Sequence, residues 1–222
     1  MSVLRYLGVR TTPRLLPFTF YLSLLTFLVL PARADAHLVA TGLGPVYDGA
    51  GHWLTSPEDF IPVLALAILA GLRGPAAGRW TLFLLPPAWL LGGIAGLLVT
   101  TPPGFSRPAL SSIVAGTFLV PGLLALSDLT VPAAVVAGLA VLIGLIHGVL
   151  DAFGLRAEGI TTAVGVLQFL GMAILLFILI PLFAAAVIAT QQTWLRIVAR
   201  VLGSWIAAAG ILLLGWAING NG

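Results

Sequence analysis

Residues 51–72 read GHWLTSPEDFIPVLALAILAGL, and this stretch joins a polar beginning to a long apolar run. Its first half contains His52, Glu58 and Asp59, although the whole chain has only three histidines and seven acids. Its second half is almost continuously apolar and predicts a helix inside a membrane. The stretch therefore places histidine and acidic side chains, which are possible ligands, directly before a hydrophobic segment.

The composition of the whole chain indicates the same class of protein. Of the 222 residues, 60% are hydrophobic and 8% are charged, and the mean hydropathy is +1.14. An ordinary globular chain is roughly one quarter charged, so we predict an all-α membrane protein without a separate soluble domain. The arginines are scattered and lysine is absent, so no nucleic-acid partner is expected. The absence of cysteine excludes thiolate metal sites and cysteine catalysis.

The first 36 residues have the three parts of a secretory signal peptide. A basic start precedes an apolar run over residues 15–30, and a small-x-small cleavage site ends at Ala36. Cleavage there leaves residues 37–222 as a single polytopic transmembrane domain. It also makes His37 the N-terminus, where amine and imidazole together can chelate a metal. The alternatives are an uncleaved signal-anchor helix and a His37 that is simply an exposed polar residue.

Six apolar segments follow the signal, each near the length that crosses a bilayer as a helix. They lie near residues 57–73, 79–100, 109–126, 131–154, 160–189 and 194–218. Several contain proline, which indicates kinked or broken helices. Glycine and alanine are abundant in them, which permits close contacts between helices.

The arginines predict how these segments are oriented. With the signal cleaved, the links at 73–79 and 190–200 fall in the cytoplasm, and they contain four arginines against two in the outer links. This asymmetry agrees with the positive-inside rule. We predict an integral protein of the bacterial inner (cytoplasmic) membrane with an extracytoplasmic mature N-terminus. In that orientation all three histidines and most acids lie toward the outer side.

Seven side chains on that side are candidate metal ligands: His37, Asp48, His52, Glu58, Asp59, His147 and Asp151. His147 and Asp151 are four residues apart, which places them on one face of a helix. Ionisable groups inside a membrane mark functional sites by default. The alternative is that His147 and Asp151 bond each other and only fix helix packing. Asp48 and His52 have the same spacing, but the glycines between them disfavour a helix.

Some polar and aromatic residues also have ordinary structural explanations. Glu58 and Asp59 would complement the helix dipole in the first turn of a helix, with Ser56 as its N-cap. The six tryptophans lie mostly near segment ends, where interfacial anchoring is expected.

The ligand types narrow the chemistry. Imidazole and carboxylate without thiolate, and with only two methionines, suit Ni²⁺, Co²⁺, Zn²⁺ or Mn²⁺ rather than Cu⁺. Few ligands spread over two or three segments suit an ion that must be released again. The chain contains no GxSxG turn and no phosphate-binding loop, so we expect no enzymatic activity. No tightly bound cofactor is expected beside the transported ion.

The order of these features resembles the HupE/UreJ family of small membrane proteins, to which nickel or cobalt permease activity is attributed. Its members open the first helix with a pattern like G-x-x-H-I-x-x-G-x-D-H-L-L. Gly49 and His52 keep that spacing, whereas Ser56, Glu58 and Asp59 stand where the pattern has Gly, Asp and His.

A second family motif, H-G-x-x-H, corresponds to residues 147–151, where Asp151 replaces the second histidine. Both departures exchange imidazole for carboxylate. Ligand capacity is kept, but oxygen ligands favour harder ions such as Mn²⁺, or a proton-coupled role. The resemblance covers nearly the whole chain after the signal.

The resemblance implies a membrane permease for a divalent transition-metal ion, nickel or cobalt in the first place, taken from the extracytoplasmic side. It requires that the polar group of residues 52–59 lies close to His147 and Asp151. A non-transporting accessory or assembly factor for a metalloenzyme such as hydrogenase or urease is the alternative, and it implies a maturation partner. A channel for a small neutral solute is a third hypothesis. The lipid bilayer is a partner in each case, and the oligomeric state stays open.

Overall fold

A computed structural model describes residues 41–99, 106–127, 129–189 and 193–219. Within these ranges seven helices follow one another: α1 (Pro45–Thr55), α2 (Pro57–Arg73), α3 (Pro75–Leu98), α4 (Arg107–Leu126), α5 (Ala133–Ala157), α6 (Thr162–Ala189) and α7 (Thr193–Ile218). The described residues contain no strand, so the predicted all-α membrane class is confirmed. The predicted signal peptide and His37 lie outside the described residues.

Five of the helices, α3 to α7, are long and apolar enough to cross a membrane. α1 and α2 meet the same criterion only together, and they are bent by 75° at the break between them. Ser56 is extended at this break, and Pro57 begins α2. Proline disfavours helical geometry in the residue before it, which explains the position of the bend. The first predicted segment is therefore the second helix of a bent pair, which forms either a broken span or a re-entrant loop.

α1 corrects the expectation that glycines exclude a helix between Asp48 and His52. A Cβ atom on Gly49 would overlap the backbone carbonyl of Gln168, and one on Gly171 would overlap the carbonyl of Val46. Both glycines thus allow α1 and α6 to pack backbone against backbone. This close packing offsets the roughly 1 kcal/mol by which glycine disfavours a helix.

α2 is the central helix of the described bundle, because it contacts each of the other six. Every residue from Ala65 to Gly71 is buried. Lipid is as apolar as leucine, so this burial stabilises the bundle through close packing rather than by removal of apolar surface from water. The first turn of α2 carries Asp59 into the same interior, where its side chain is only 2% exposed.

The pair α3 and α5 forms another close interface, and small residues make it possible. A Cβ atom on Gly144 would lie 2.8 Å from the carbonyl oxygen of Leu85, and one on Gly148 would overlap the carbonyl of Trp89. His147 is next to this second contact in sequence. The glycines of α5 therefore allow α5 to approach α3 closely, and this brings His147 and Asp151 next to α3.

Two arginines bind the carboxyl ends of neighbouring helices. Arg73 donates to the carbonyl oxygens of Leu124 at 2.9 Å and Ser127 at 3.1 Å, at the end of α4. Arg156 donates to the carbonyl oxygens of Leu97, at 3.2 Å, and Val99, at the end of α3. A cation at these carbonyls complements the helix dipole.

Candidate metal centre

His147, on α5, joins three helices through its two ring nitrogens. Nδ1 lies 2.9 Å from Oδ1 of Asp59 on α2, and Nε2 lies 2.9 Å from the hydroxyl of Thr117 on α4. The Thr117 hydroxyl donates to the carbonyl of Val114 at 2.7 Å. The hydroxyl of Thr117 and Nε2 of His147 lie within hydrogen-bond distance, which ties α5 to α4. The geometry holds the imidazole in one orientation and directs Nδ1 at Asp59.

Asp151 is bonded to a residue on a different helix. The indole N–H of Trp89, on α3, donates to Oδ2 of Asp151 at 2.9 Å. The same indole stacks on the ring of His147, with centroids 5.3 Å apart and planes at 27°. His147 and Asp151 thus have hydrogen-bond partners on α2, α4 and α3, and no bond joins them to each other in the described structure. The alternative of a simple pair within α5 is wrong.

Three side chains from three helices form a candidate metal cluster. His52 of α1, Asp59 of α2 and Asp151 of α5 each bring one ligand atom to within 4.8 Å of the others. Oδ2 of Asp59 is buried and has no hydrogen-bond partner, while Oδ1 is held by His147. A buried carboxylate oxygen is costly to leave unpaired. A metal cation would satisfy it and offset the repulsion between two close carboxylates, as would a proton shared between Asp59 and Asp151.

The structure thus brings the two polar groups of the sequence together, as the metal hypothesis requires. The donor set of the cluster is one imidazole and two carboxylates, which fits a divalent ion of borderline or hard character. Three protein ligands leave coordination positions for water, as a site that must release its ion needs.

The remaining predicted ligands lie elsewhere. Asp48 accepts hydrogen bonds from the amide and the hydroxyl of Thr41, each at 2.6 Å, and does not join the cluster. Glu58 is exposed at the start of α2 and is also outside it. His147 contacts the cluster through Asp59 rather than as a member. Whether any of these side chains binds a metal stays a prediction.

Ser56 occupies the N-cap position of α2, as predicted, but its side chain makes no capping bond. Its hydroxyl instead donates to the carbonyl of His52 at 2.9 Å. The bond runs back across the bend into the last turn of α1. It helps to hold His52 at the corner where α1 meets α2.

Two tryptophans correct the expectation of interfacial anchors. Trp53 and Trp89 are completely buried, whereas the other described tryptophans are exposed: Trp80, Trp194, Trp205 and Trp216. Trp89 and Thr117 were not predicted as site residues, although both contact His147. A signal for Trp89 did exist, since it lies well inside an apolar segment. An indole N–H at such a depth needs a hydrogen-bond partner.

Comparisons with known proteins identify one family. The family model described as HupE / UreJ protein matches residues 25–213. The matched range contains α1 to α6 and most of α7, and so includes every residue of the metal cluster and of its hydrogen-bond partners. No curated protein and no solved structure matches the chain.

Proposed function

The chain belongs to the HupE/UreJ family, and we propose that it is a membrane permease for a divalent transition-metal ion, with nickel or cobalt as the favoured cargo. The observation that carries the proposal is the cluster of His52, Asp59 and Asp151, with an unpaired buried oxygen on Asp59. The ion is the substrate of transport rather than a resident cofactor, and we propose no enzymatic activity.

The position of the cluster supports a transport role. Its ligands come from three helices, one of which ends at the 75° bend between α1 and α2. Irregular backbone at membrane depth is tolerated where it is buried or lines a cavity. Ligands on separate elements can also move apart, which allows the ion to leave.

His147 and Thr117 act in this proposal as positioning residues. Thr117 holds one ring nitrogen of His147, and the other nitrogen holds Oδ1 of Asp59. The remaining oxygen of Asp59 is left for the ion. Partners behind a metal ligand typically change affinity 10- to 100-fold when they are mutated.

Different observations bear on the side from which the ion enters and on the identity of the ion. The arginine asymmetry between the links supports an orientation with the N-terminal end of the described chain outside the cytoplasm, and uptake from that side is part of the proposal. Family membership favours nickel or cobalt, whereas two carboxylates in the cluster keep Zn²⁺ and Mn²⁺ as competitors.

Cellular uptake of labelled Ni²⁺, Co²⁺, Zn²⁺ and Mn²⁺ tests the proposal. The intact protein is compared with Asp59→Asn and Asp151→Asn at matched membrane abundance. Asp48→Asn is the control, because this acid lies outside the cluster. We expect uptake of at least one ion by the intact protein and the control, and loss of uptake in both cluster variants.

The accessory-factor hypothesis predicts a different pattern. The bonds of His147 to α2 and α4 favour it in one respect, since they would also stabilise packing without transport. It predicts no uptake above that of cells lacking the protein for any of the four ions, with reduced thermal stability of the Asp59 and Asp151 variants. That outcome would replace the permease proposal, and a partner protein in the membrane would be sought next.

A further inference from the structure

Nε1 of Trp53 on α1 and Oε1 of Gln168 on α6 are buried without a hydrogen-bond partner in the described structure, and neither belongs to the metal cluster. Trp53 is completely buried and Gln168 is 3% exposed. Buried polar groups in native proteins nearly always have a partner, and an exception calls for a bound water or ion.

The packing of α1 on α6 places the backbone of Gln168 level with Gly49, one helical turn before Trp53 on the same face of α1. Val46 lies against Gly171 and Gly49 lies against Gln168, so the helices run antiparallel. Side chains on a helix lean toward its N-terminus. We therefore expect the amide of Gln168 to point along α6 in the direction in which α1 continues from Gly49 to Trp53.

Trp53 lies next to the metal cluster in sequence and contacts one of its hydrogen-bond partners. It directly follows His52, a member of the cluster. Its ring makes an edge contact with the ring of Trp89, with centroids 6.2 Å apart, and Trp89 donates to Asp151. Trp53 thus adjoins the cluster both along α1, through His52, and across the bundle, through Trp89.

The chemistry of the two unpaired atoms is complementary to water. The indole N–H only donates, and the amide oxygen only accepts. They do not bond each other. A water molecule offers both an acceptor and donors, and it satisfies such a pair at little cost when it is held by several polar groups. The water ligands of a metal ion are stronger donors still, because the ion polarises them.

We propose that Gln168 and Trp53 bind the water ligands of the hydrated ion beside the cluster, which makes Gln168 a specificity-determining residue. This inference rests on the proposed function, and it adds a site that binds the water molecules retained by the ion. His52, Asp59 and Asp151 replace part of the shell, while Gln168 accepts from the water that stays. The pair would favour ions that keep water ligands in the bound state.

Gln168→Met tests the inference on the full-length protein purified in detergent. The side chain keeps its length but loses the amide. Met172→Leu is the control, because Met172 is a completely buried core residue one turn further along α6, and swaps of this kind conserve volume. Melting temperatures with and without Ni²⁺ or Co²⁺ are measured, together with Kd by calorimetry.

Without metal, we expect Gln168→Met to melt at the same temperature as the intact protein or higher, because an unpaired buried polar atom has been removed. With metal, we expect Kd to rise about tenfold, as for the loss of one hydrogen bond to a charged group. Trp53→Phe, which keeps an aromatic ring, should raise Kd in the same direction by a smaller factor. Met172→Leu should leave Kd unchanged.

Two results would overturn the inference. If Gln168→Met lowers the melting temperature without metal and leaves Kd unchanged, Gln168 holds a structural water or fixes packing only. If Kd is unchanged and the melting temperature rises, the unpaired oxygen has no role toward the ion. Failure of the permease proposal looks different, since the intact protein itself then shows no change with any ion.

Discussion

Two helix interfaces in this protein are built in the same way but differ in their polar content. α4 packs on α7, and α3 packs on α5, both through glycines that leave no space for a side chain. Residues 119–126 and 203–210, which contain the glycine contacts of the first interface, have no ionisable side chain. The second interface contains Trp89, His147 and Asp151. Close packing of membrane helices therefore does not require ionisable groups here.

The comparison supports a functional role for the polar interface. Ionisable groups cost free energy in a membrane, and α4 with α7 shows that small residues alone can hold two helices together. The polar side chains of α5 face α2 and α1, where His52 and Asp59 lie. The free-energy cost of these ionisable side chains is better explained by a role in binding an ion than by a role in helix packing.

The largest expected effect concerns the packing that both interfaces share. Gly122→Leu and Gly144→Leu should each lower the free energy of unfolding by about 3 kcal/mol, because overpacking forces the helices apart. A Cβ atom at either position would lie 2.8 Å from a neighbouring helix. Thermal melts in detergent and membrane abundance measure the loss.

Two other glycines on the same helices serve as controls for this experiment. A Cβ atom on Gly116 of α4 or on Gly138 of α5 would meet nothing within 4 Å. Gly116→Leu and Gly138→Leu should therefore melt close to the intact protein. Equal destabilisation at all four positions would show that close contact does not decide the outcome, because leucine has a higher helix propensity than glycine.

The second-largest effect, stabilisation by a bound ion, should depend on the polar interface and not on the apolar one. An ion at 100 times its Kd stabilises a protein that binds it only in the folded state by about 2.7 kcal/mol. We expect this gain for the intact protein and for Gly116→Leu, and none for Asp59→Asn. The measurement is the melting temperature with and without metal, and addition of a chelator should reverse the gain. A full gain in Asp59→Asn would remove Asp59 from the site.

The smallest effect tests the positioning of Asp59 through His147. Thr117→Val removes the hydroxyl that holds Nε2 of His147, and it should raise the Kd of the ion about tenfold, or about 1.4 kcal/mol. Thr117→Ser keeps the hydroxyl and should restore most of the affinity. A Kd that is the same in both variants would show that the Thr117 hydroxyl does not contribute to the position of Asp59.

Much of the fold could be predicted because its causes are local. Apolar runs of membrane length predicted α2 to α7, and the shortage of charge predicted the class. Residues 52–59 and 147–151 stood out because acids and histidines are rare in this chain. α1 was missed because its glycines satisfy a contact with α6 that lies more than a hundred residues away in sequence.

Which of the rare polar residues form the site was decided by tertiary structure. His52, Asp59 and Asp151 meet because a bend at Ser56 and glycine contacts on α5 bring three helices together, whereas Asp48 is held by Thr41. Hydropathy and spacing act within one segment, so the amino-acid sequence alone is enough for the helices and the ligand types. A metal cluster depends on distances between segments, and only the packing of the helices sets those distances.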